Sequence, residues 1–337
     1  MALPRITIIT PSYNQAVFLE ETIVSVLDQG YPNLEYIIID GGSSDHSVSI
    51  IERFSNKIDY WISEKDEGQS HAINKGLLRT TGDLVTWINS DDQLMPGILH
   101  ELASFYQTLD ENTGLIHGGV EIFGDGIKSY VDFGFSDLSL ERYLAGMAFS
   151  QPGSFFTRNA IKKLNGLNEH LRYGMDYEFF SRIALNFKVQ SWDKIVARYR
   201  IHDASKTVAE GNLFIKDWSA IFTNISQYFG FSNIQETLED LKIDSNLQLT
   251  PIIASKITDD MVDEKLLLRH FLSHVLSADF RNENLWRAKL IANYLTANYP
   301  IEILATEKDI QHALSTLTKY PIWFISVVKK FKSMLAK

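Results

Sequence analysis

The chain alternates short apolar runs with amphipathic stretches. Arg5–Thr10 (RITIIT) is β-branched and closed by Pro11, the pattern of a buried strand. Over Gln15–Gln29 the apolar residues Leu19, Ile23, Val26 and Leu27 recur at helical spacing, with Gly30 as C-terminal cap and Pro32 beyond it. Leu34–Ile39 (LEYIII) predicts a second strand, stopped by Asp40-Gly41-Gly42. Ser43 or Ser44 offers an N-cap, with Asp45 in the first turn of a helix reaching Phe54. Ile58–Ile62 predicts a third strand, Gln69–Arg79 a helix with Ala72, Ile73, Gly76 and Leu77 on one face, and Leu84–Ile88 a fourth strand. Pro96 then opens a helix at its favoured first position.

This alternation is that of βαβ units, so the first third of the chain predicts a parallel α/β sheet. The pattern then changes. Val120–Phe123 and Ile127–Phe133 flank Asp125-Gly126, a hairpin with a two-residue turn. A short strand over Gly153–Phe156, a helix over Asp176–Asn186 and a β run over Ile195–Ile201 follow. Beyond His202 no strand pattern remains, and 211–337 reads as mainly helical after a linker near Asp203–Gly211. The division expected is a domain over 1–207 and a helical region over 211–337.

Composition removes several chemistries. The 337 residues are 45% hydrophobic and 22% charged, as in an ordinary globular protein. A net charge of −10 argues against broad nucleic-acid binding. There is no cysteine, so disulfides, thiolate zinc sites and cysteine nucleophiles are excluded, in keeping with a reducing compartment. MALPRITIIT has no apolar core of a secretory signal, and no stretch has the length of a spanning helix, so a cytoplasmic protein is expected.

In sheets of this kind ligands bind beyond the carboxyl ends of the strands. Four such ends carry polar residues: Thr10–Tyr13, Asp40–Ser43, Glu64–Gln69 and Asn89–Asp92. Two adjacent carboxylates, Asp91 and Asp92, repel in a partly dry cleft, and a divalent cation relieves that repulsion. Carboxylates suit Mg²⁺ or Mn²⁺, which complete their shells with water and substrate phosphates. The plain alternative is a polar loop whose Ser or Asp caps the next helix.

TPSYN, IIDGGSSD, DEGQSHAINKG, GDLVTWINSDD and MDYEFFSR occur in that order. The ordered set strongly resembles the family-2 glycosyltransferases over residues 4–207. The resemblance implies a GT-A fold: a Rossmann-like, mostly parallel α/β sheet flanked by helices, followed here by the helical C-terminal region. It implies an inverting transferase moving a sugar from a nucleotide-diphospho-sugar, most often a UDP-sugar, to an acceptor hydroxyl, as in polysaccharide or glycoconjugate synthesis. It also implies a Mg²⁺ or Mn²⁺ cofactor.

Position by position, Thr10, Pro11 and Tyr13 match the segment that holds the nucleoside, and Asp40 matches an acid that contacts the base, with Ser43 beside it. Gln69, Asn74 and Lys75 fall in a stretch that packs under the nucleotide. Asp91 and Asp92 occupy the acidic metal motif. Asn89 stands where its first acid often sits, so Asp92 is the first choice of metal ligand and Asp91 a contact to ribose or water. Asp176 matches the catalytic base, although Met175 stands where a Glu often precedes it. His202 matches a histidine that completes the metal site, and Arg200 and Lys206 are the candidate diphosphate cations. Plainer roles compete: Tyr13 as a turn aromatic, Asp40 as a cap of the Gly-Gly turn, Asp176 as a helix-start acid, His202 as a loop residue. Gln151-Pro152-Gly153 fits a sugar pocket or a strand-initiating turn equally.

Two other classes stay in view, a sugar-phosphate nucleotidyltransferase and a non-catalytic nucleotide-sugar-binding scaffold. TPSYNQA lacks the glycine-rich loop of the former, and joint retention of Asp40, Asp92 and Asp176 weighs against the latter. No G-x-G-x-x-G follows the first strand, which weighs against a dinucleotide enzyme. The segment 319–337 carries five lysines and no acid. Phe324, Val327, Val328, Phe331, Met334 and Leu335 share one helical face, with Trp323 and Pro321 near its start. One reading is a helix lying in a membrane interface, making the protein peripheral on the inner face; the other is a terminal helix docked on its neighbours.

Overall fold

The computed structural model describes residues 2–136, 138–203, 205–206, 210–243, 247, 249, 252, 254 and 261–335, without side chains for 212, 308–309 and 331–335. It divides into two compact units. The first holds Met1–Leu138, Met147–Ser205 and Ala254–Lys256; the second holds Ser139–Gly146, Lys206–Ile253 and Ile257–Lys337.

In the first unit, strands β1 (Ile6–Ser12), β2 (Leu34–Asp40), β3 (Tyr60–Ser63) and β4 (Leu84–Trp87) pair in parallel in the order β3-β2-β1-β4. Helices α1 (Leu19–Leu27), α2 (Ser47–Phe54) and α3 (Gln69–Leu77) make the crossovers. The helices form where the apolar spacing required. Leu19, Ile23 and Val26 of α1, and Ala72, Ile73, Gly76 and Leu77 of α3, are buried. Each fully buried isoleucine or leucine contributes about 1.5–3 kcal/mol of transfer free energy. Gly76 lets α3 lie close on the sheet, because a Cβ there would stand 2.6 Å from the Ile9 side chain.

The remaining strands turn this sheet into a mixed one. They are β5 (Gln93–Leu94), β6 (Thr113–Gly124), β7 (Tyr130–Asp132), β8 (Ser154–Thr157) and β9 (Lys188–Ile201). Strand β8 runs antiparallel to both β4 and β6, while β9 runs parallel to β6. Two reversals restore direction, so β6 and β9 end at the same sheet edge as β1–β4. The carboxyl ends of β4 and β9, distant in sequence, therefore meet on one rim.

Several local expectations change. Pro96 does not open a helix: α4 runs Ile98–Tyr106, and Gly97, with φ of 72°, bends the chain into it. Neither Ser43 nor Ser44 caps α2, whose N-cap is His46; instead Asp45 Oδ1 accepts from Ser47 N at 2.9 Å. The hairpin forms, but its last pair is Ile122 with Tyr130, so the connection is longer than two residues. Strands β6 and β9 start well before the expected runs, at Thr113 and Lys188. Helix α5 (Leu140–Leu144) lies in the second unit, and α6 (Arg158–Leu164) and α7 (Met175–Ala184) lie in the first.

Among its described residues after Lys206 the second unit has helices as its only regular elements, with Glu264–Arg281 and Leu285–Asn298 the long ones. Part of the expected linker lies outside the described residues. A buried polar cluster sits in this unit. Arg142 donates to both oxygens of Glu307 at 2.9 and 3.1 Å, and His270 Nδ1 lies 3.0 Å from Glu307 Oε1. Burial alone would raise the Glu307 pKa; the His270 hydrogen bond and the Arg142 charge bring it down to about 2.

Candidate active site

The rim where β4 and β9 end holds the acidic pair. Asn89-Ser90-Asp91-Asp92 is a turn closed by Asp92 N donating to Asn89 O at 3.0 Å. A turn sends neighbouring side chains apart, and these two separate completely. Asp92 is wholly buried; Asp91 is partly exposed beside His202.

The burial of Asp92 has a structural reason. Its Oδ1 accepts from the backbone N of Arg200 at 3.0 Å and its Oδ2 from Asn89 Nδ2 at 3.2 Å, while Thr22 Oγ1 donates to its carbonyl at 2.7 Å. Asn89 Oδ1 in turn accepts from Gln69 Nε2 at 2.7 Å. This chain of bonds ties β4, β9, α1 and the start of α3 together. Burial, and then the charge of Asp91, push the Asp92 carboxyl well above the usual carboxylate range. These bonds anchor the turn through Asp92, the residue expected to be the direct metal ligand.

The open pair is Asp91 and His202. Asp91 Oδ2 lies 3.1 Å from His202 Nε2, and both side chains are partly exposed, at 17% and 14%. The His202 ring packs against Phe18 at 4.6 Å, and its backbone N donates to Ser205 Oγ at 3.1 Å. A carboxylate oxygen and an imidazole nitrogen form a donor set that Mn²⁺ or Mg²⁺ accepts. Adjacent ligand atoms around an ion at about 2.1 Å stand about 3.0 Å apart, so the observed spacing fits. Among the described residues no group of three or more His, Asp and Glu converges. Two protein ligands suit an ion that takes its remaining ligands from water and phosphate.

Arg200 is engaged in holding this rim. Its Nε donates to Asp91 O at 3.0 Å, Nη2 pairs with Glu21, and the guanidinium lies over Phe18 and Phe123. Arg200, expected as a diphosphate cation, makes these contacts from the end of β9. Lys206 is exposed and belongs to the second unit.

The remaining expected residues divide by exposure. Tyr13 is 62% exposed at the end of β1. Thr10 is buried, its hydroxyl 3.1 Å from the Tyr36 hydroxyl, and Pro11 is buried within β1; neither side chain opens onto the rim. Asp40 is buried too, accepting from Gly42 N, Ser43 N, Ser63 Oγ and Ser43 Oγ at 2.6–3.1 Å. Ser43 Oγ also accepts from Asn14 N at 2.8 Å, which stitches the loops after β1 and β2 together. These bonds give Asp40 and Ser43 a part in building the turn. Asn74 does not reach the rim: its amide donates to Leu167 O and Glu169 and accepts from Leu167 N, pinning the loop before α7. Lys75 pairs with Glu64 at 2.8 Å. Gln151 donates to Trp87 O at 2.9 Å from a buried position, in the turn that leads into β8.

Asp176 lies on α7. It is partly exposed in the first turn of α7, and its Oδ1 accepts from Tyr177 N at 2.9 Å. The preceding Met175 touches Ser70 Oγ at 2.8 Å, next to Gln69. Asp66 was not singled out as a site residue. It is partly exposed, with Oδ1 accepting from Gly68 N at 2.9 Å, and Gly41 makes room for it: a Cβ at Gly41 would lie 2.6 Å from Asp66 Oδ2. Glu21, the partner of Arg200, was also missed, because nothing local marks one acid of a helical face for a distant strand.

Comparison with known proteins shows the family. Residues 7–164 match the sequence pattern of the family described as Glycosyl transferase family 2. A Mycobacterium tuberculosis protein described as an uncharacterized glycosyltransferase is 32% identical over 190 residues, 54% of this chain and 70% of the relative. The chain belongs to glycosyltransferase family 2.

This glycosyltransferase is also 27% identical over 216 residues to one from Rickettsia typhi, across 60% of the chain and 66% of the relative. The chain thus spans about two thirds of these relatives' lengths. Two solved structures share its GT-A fold. S. aureus TarS in complex with UDP-GlcNAc has a TM-score of 0.53 at 16% identity, over 81% of each chain. A mannosyltransferase from Pyrobaculum calidifontis in complex with GDP-Man and Mn²⁺ has a TM-score of 0.53 at 17% identity, over 98% of this chain and 88% of the other. The family match includes Asp91 and ends before Asp176 and His202, so their roles rest on geometry.

Proposed function

We propose that this glycosyltransferase transfers a sugar from a nucleoside-diphospho-sugar to an acceptor hydroxyl with inversion, using a divalent cation held by Asp91 and His202. The observation that carries the reading is the 3.1 Å approach of Asp91 Oδ2 and His202 Nε2 on the rim, with Asp92 buried behind them. The neighbours solved with UDP-GlcNAc and with GDP-Man and Mn²⁺ support a nucleotide-sugar donor and a divalent metal.

When bound, the cation would neutralise the charge that builds on the departing diphosphate. The chain's own residues do the rest. Tyr13, exposed at the end of β1, offers an aromatic face to the base. Asp66 offers a carboxylate oxygen beside Gly41 to base or ribose donors. Gln69 and Asn89 keep the floor of the rim fixed through their 2.7 Å bond. Arg200 holds the Asp91 carbonyl, so the Asp91 carboxylate is preorganised. Asp176 takes the proton from the attacking hydroxyl, a role typically worth about 10²–10⁴-fold. Attack on the face opposite the diphosphate inverts the anomeric centre.

A panel of UDP- and GDP-sugars with Mn²⁺ tests this reading. Nucleoside diphosphate release with at least one donor, abolished by EDTA and restored by Mn²⁺, is the expected result. Pyrophosphate production from a nucleoside triphosphate and a sugar phosphate, without diphosphate release from any donor, would refute it.

A further inference from the structure

We propose that the last helix of the second unit, Ile322–Leu335, is a docking surface for an anionic lipid bilayer. The helix turns one side inward. Ile325 is buried, and Lys329 lies over the Phe280 ring at 4.2 Å while donating to the Phe280 carbonyl. At 100° per residue, Trp323, Phe324, Val327 and Val328 form a stripe away from that side. All four are exposed, Trp323 at 69% and Val327 at 59%, and Tyr320 continues the stripe just before the helix. The apolar face anticipated from the sequence is therefore not the docked face, at least through Lys330. The side chains of Phe331, Lys332, Met334 and Leu335, and all of Lys337, lie outside the described residues.

Charge selects the occupant. In a chain of net charge −10, residues 319–337 contain five lysines and no acid. Lys319, at the end of the preceding helix, and Lys330, next to Trp323 around the helix, are exposed. A second copy docked through this face would bring lysine against lysine. A bilayer with anionic headgroups neutralises them and accepts the apolar stripe together. Trp323 and Tyr320 carry a polar group on an apolar ring, the form that settles at a headgroup boundary. No described helix is long and apolar enough to cross a membrane, so contact is in-plane.

The test is flotation of the full chain with vesicles of equal parts phosphatidylglycerol and phosphatidylcholine, and with phosphatidylcholine alone. Binding to the mixed vesicles only, weakened by salt, is expected. Trp323→Ser combined with Val327→Ser should weaken binding at least about tenfold, since it removes two exposed anchors. An unchanged melting temperature shows that the fold is intact. Vesicles with brominated acyl chains give a readout independent of any variant: they should quench tryptophan emission of the unaltered protein. No flotation at low salt, no quenching, or full binding by the double variant would overturn the proposal. So would a dimer in light scattering that the double variant dissolves, in the absence of vesicle binding.

Discussion

His202 Nε2 stands 3.1 Å from Asp91 Oδ2 across 111 residues of sequence. The meeting follows from strand direction. Across the sheet, β8 lies antiparallel between β4 and β6, and β9 runs parallel to β6, so the residues after β4 and β9 face one rim. The Arg200 backbone then locks Asp92 inward, and Asp91 is left facing the histidine.

Asp176→Asn should lower transfer by about 10²–10⁴-fold while donor affinity stays within a few-fold. Isothermal titration with the donor, set beside turnover, separates the two. Equal loss of binding and of melting temperature would mark Asp176 as a helix-start residue only.

Glu307→Gln should destabilise the second unit by about 3–5 kcal/mol, because Arg142, itself buried, loses the carboxylate it grips at 2.9 Å. Urea unfolding followed in the far ultraviolet measures this. A change below about 1 kcal/mol would show that the cluster is not a closed ion pair.

Acid should weaken the fold from mildly acidic pH downward. Burial, followed by the charges of Arg281 and Arg142, lowers the His274 pKa to about 3, and burial lowers His117 to about 4. Both stay neutral when folded, whereas the unfolded chain takes protons below about 6.5. Stability is therefore full above 6.5 and falls as pH drops towards 4 and then 3, by about 1.4 kcal/mol per unit for each histidine. Glu307 adds loss in the same direction, between its ordinary 4.5 and about 2. Thermal melts between pH 7.5 and pH 4 should show a falling midpoint, and His274→Phe should flatten part of the slope. A midpoint that stays level would contradict the burial of both rings.

The parallel half of the sheet was legible because helix and strand there each carry their own period, as in Leu19, Ile23 and Val26 or in LEYIII. The antiparallel half was legible only in fragments. Strand β6 contains Gly114 and Gly118-Gly119, which weaken its β signal. Motif order led to the rim, but not to which carboxylate faces it. Asp91 and Asp92 differ only through a turn and a backbone donor 108 residues away. The bonds of Asn74 to Leu167 and Glu169 lie beyond local pattern, because those partners are 93 and 95 residues on. The pairing of Arg200 with Glu21 spans 179 residues, and no local pattern announces it.

The central claim is that Asp91, not Asp92, holds the cation. Mn²⁺ binding in the presence of UDP or GDP, followed by loss of the free-ion electron paramagnetic resonance signal, tests it on the full chain. Asp91→Asn should weaken Mn²⁺ binding by at least about a hundredfold with an unchanged melting temperature. Asp92→Asn should keep Mn²⁺ within a few-fold and lower stability by about 1–3 kcal/mol, since one buried hydrogen bond is mismatched. Loss of Mn²⁺ in Asp92→Asn with retention in Asp91→Asn would contradict the account.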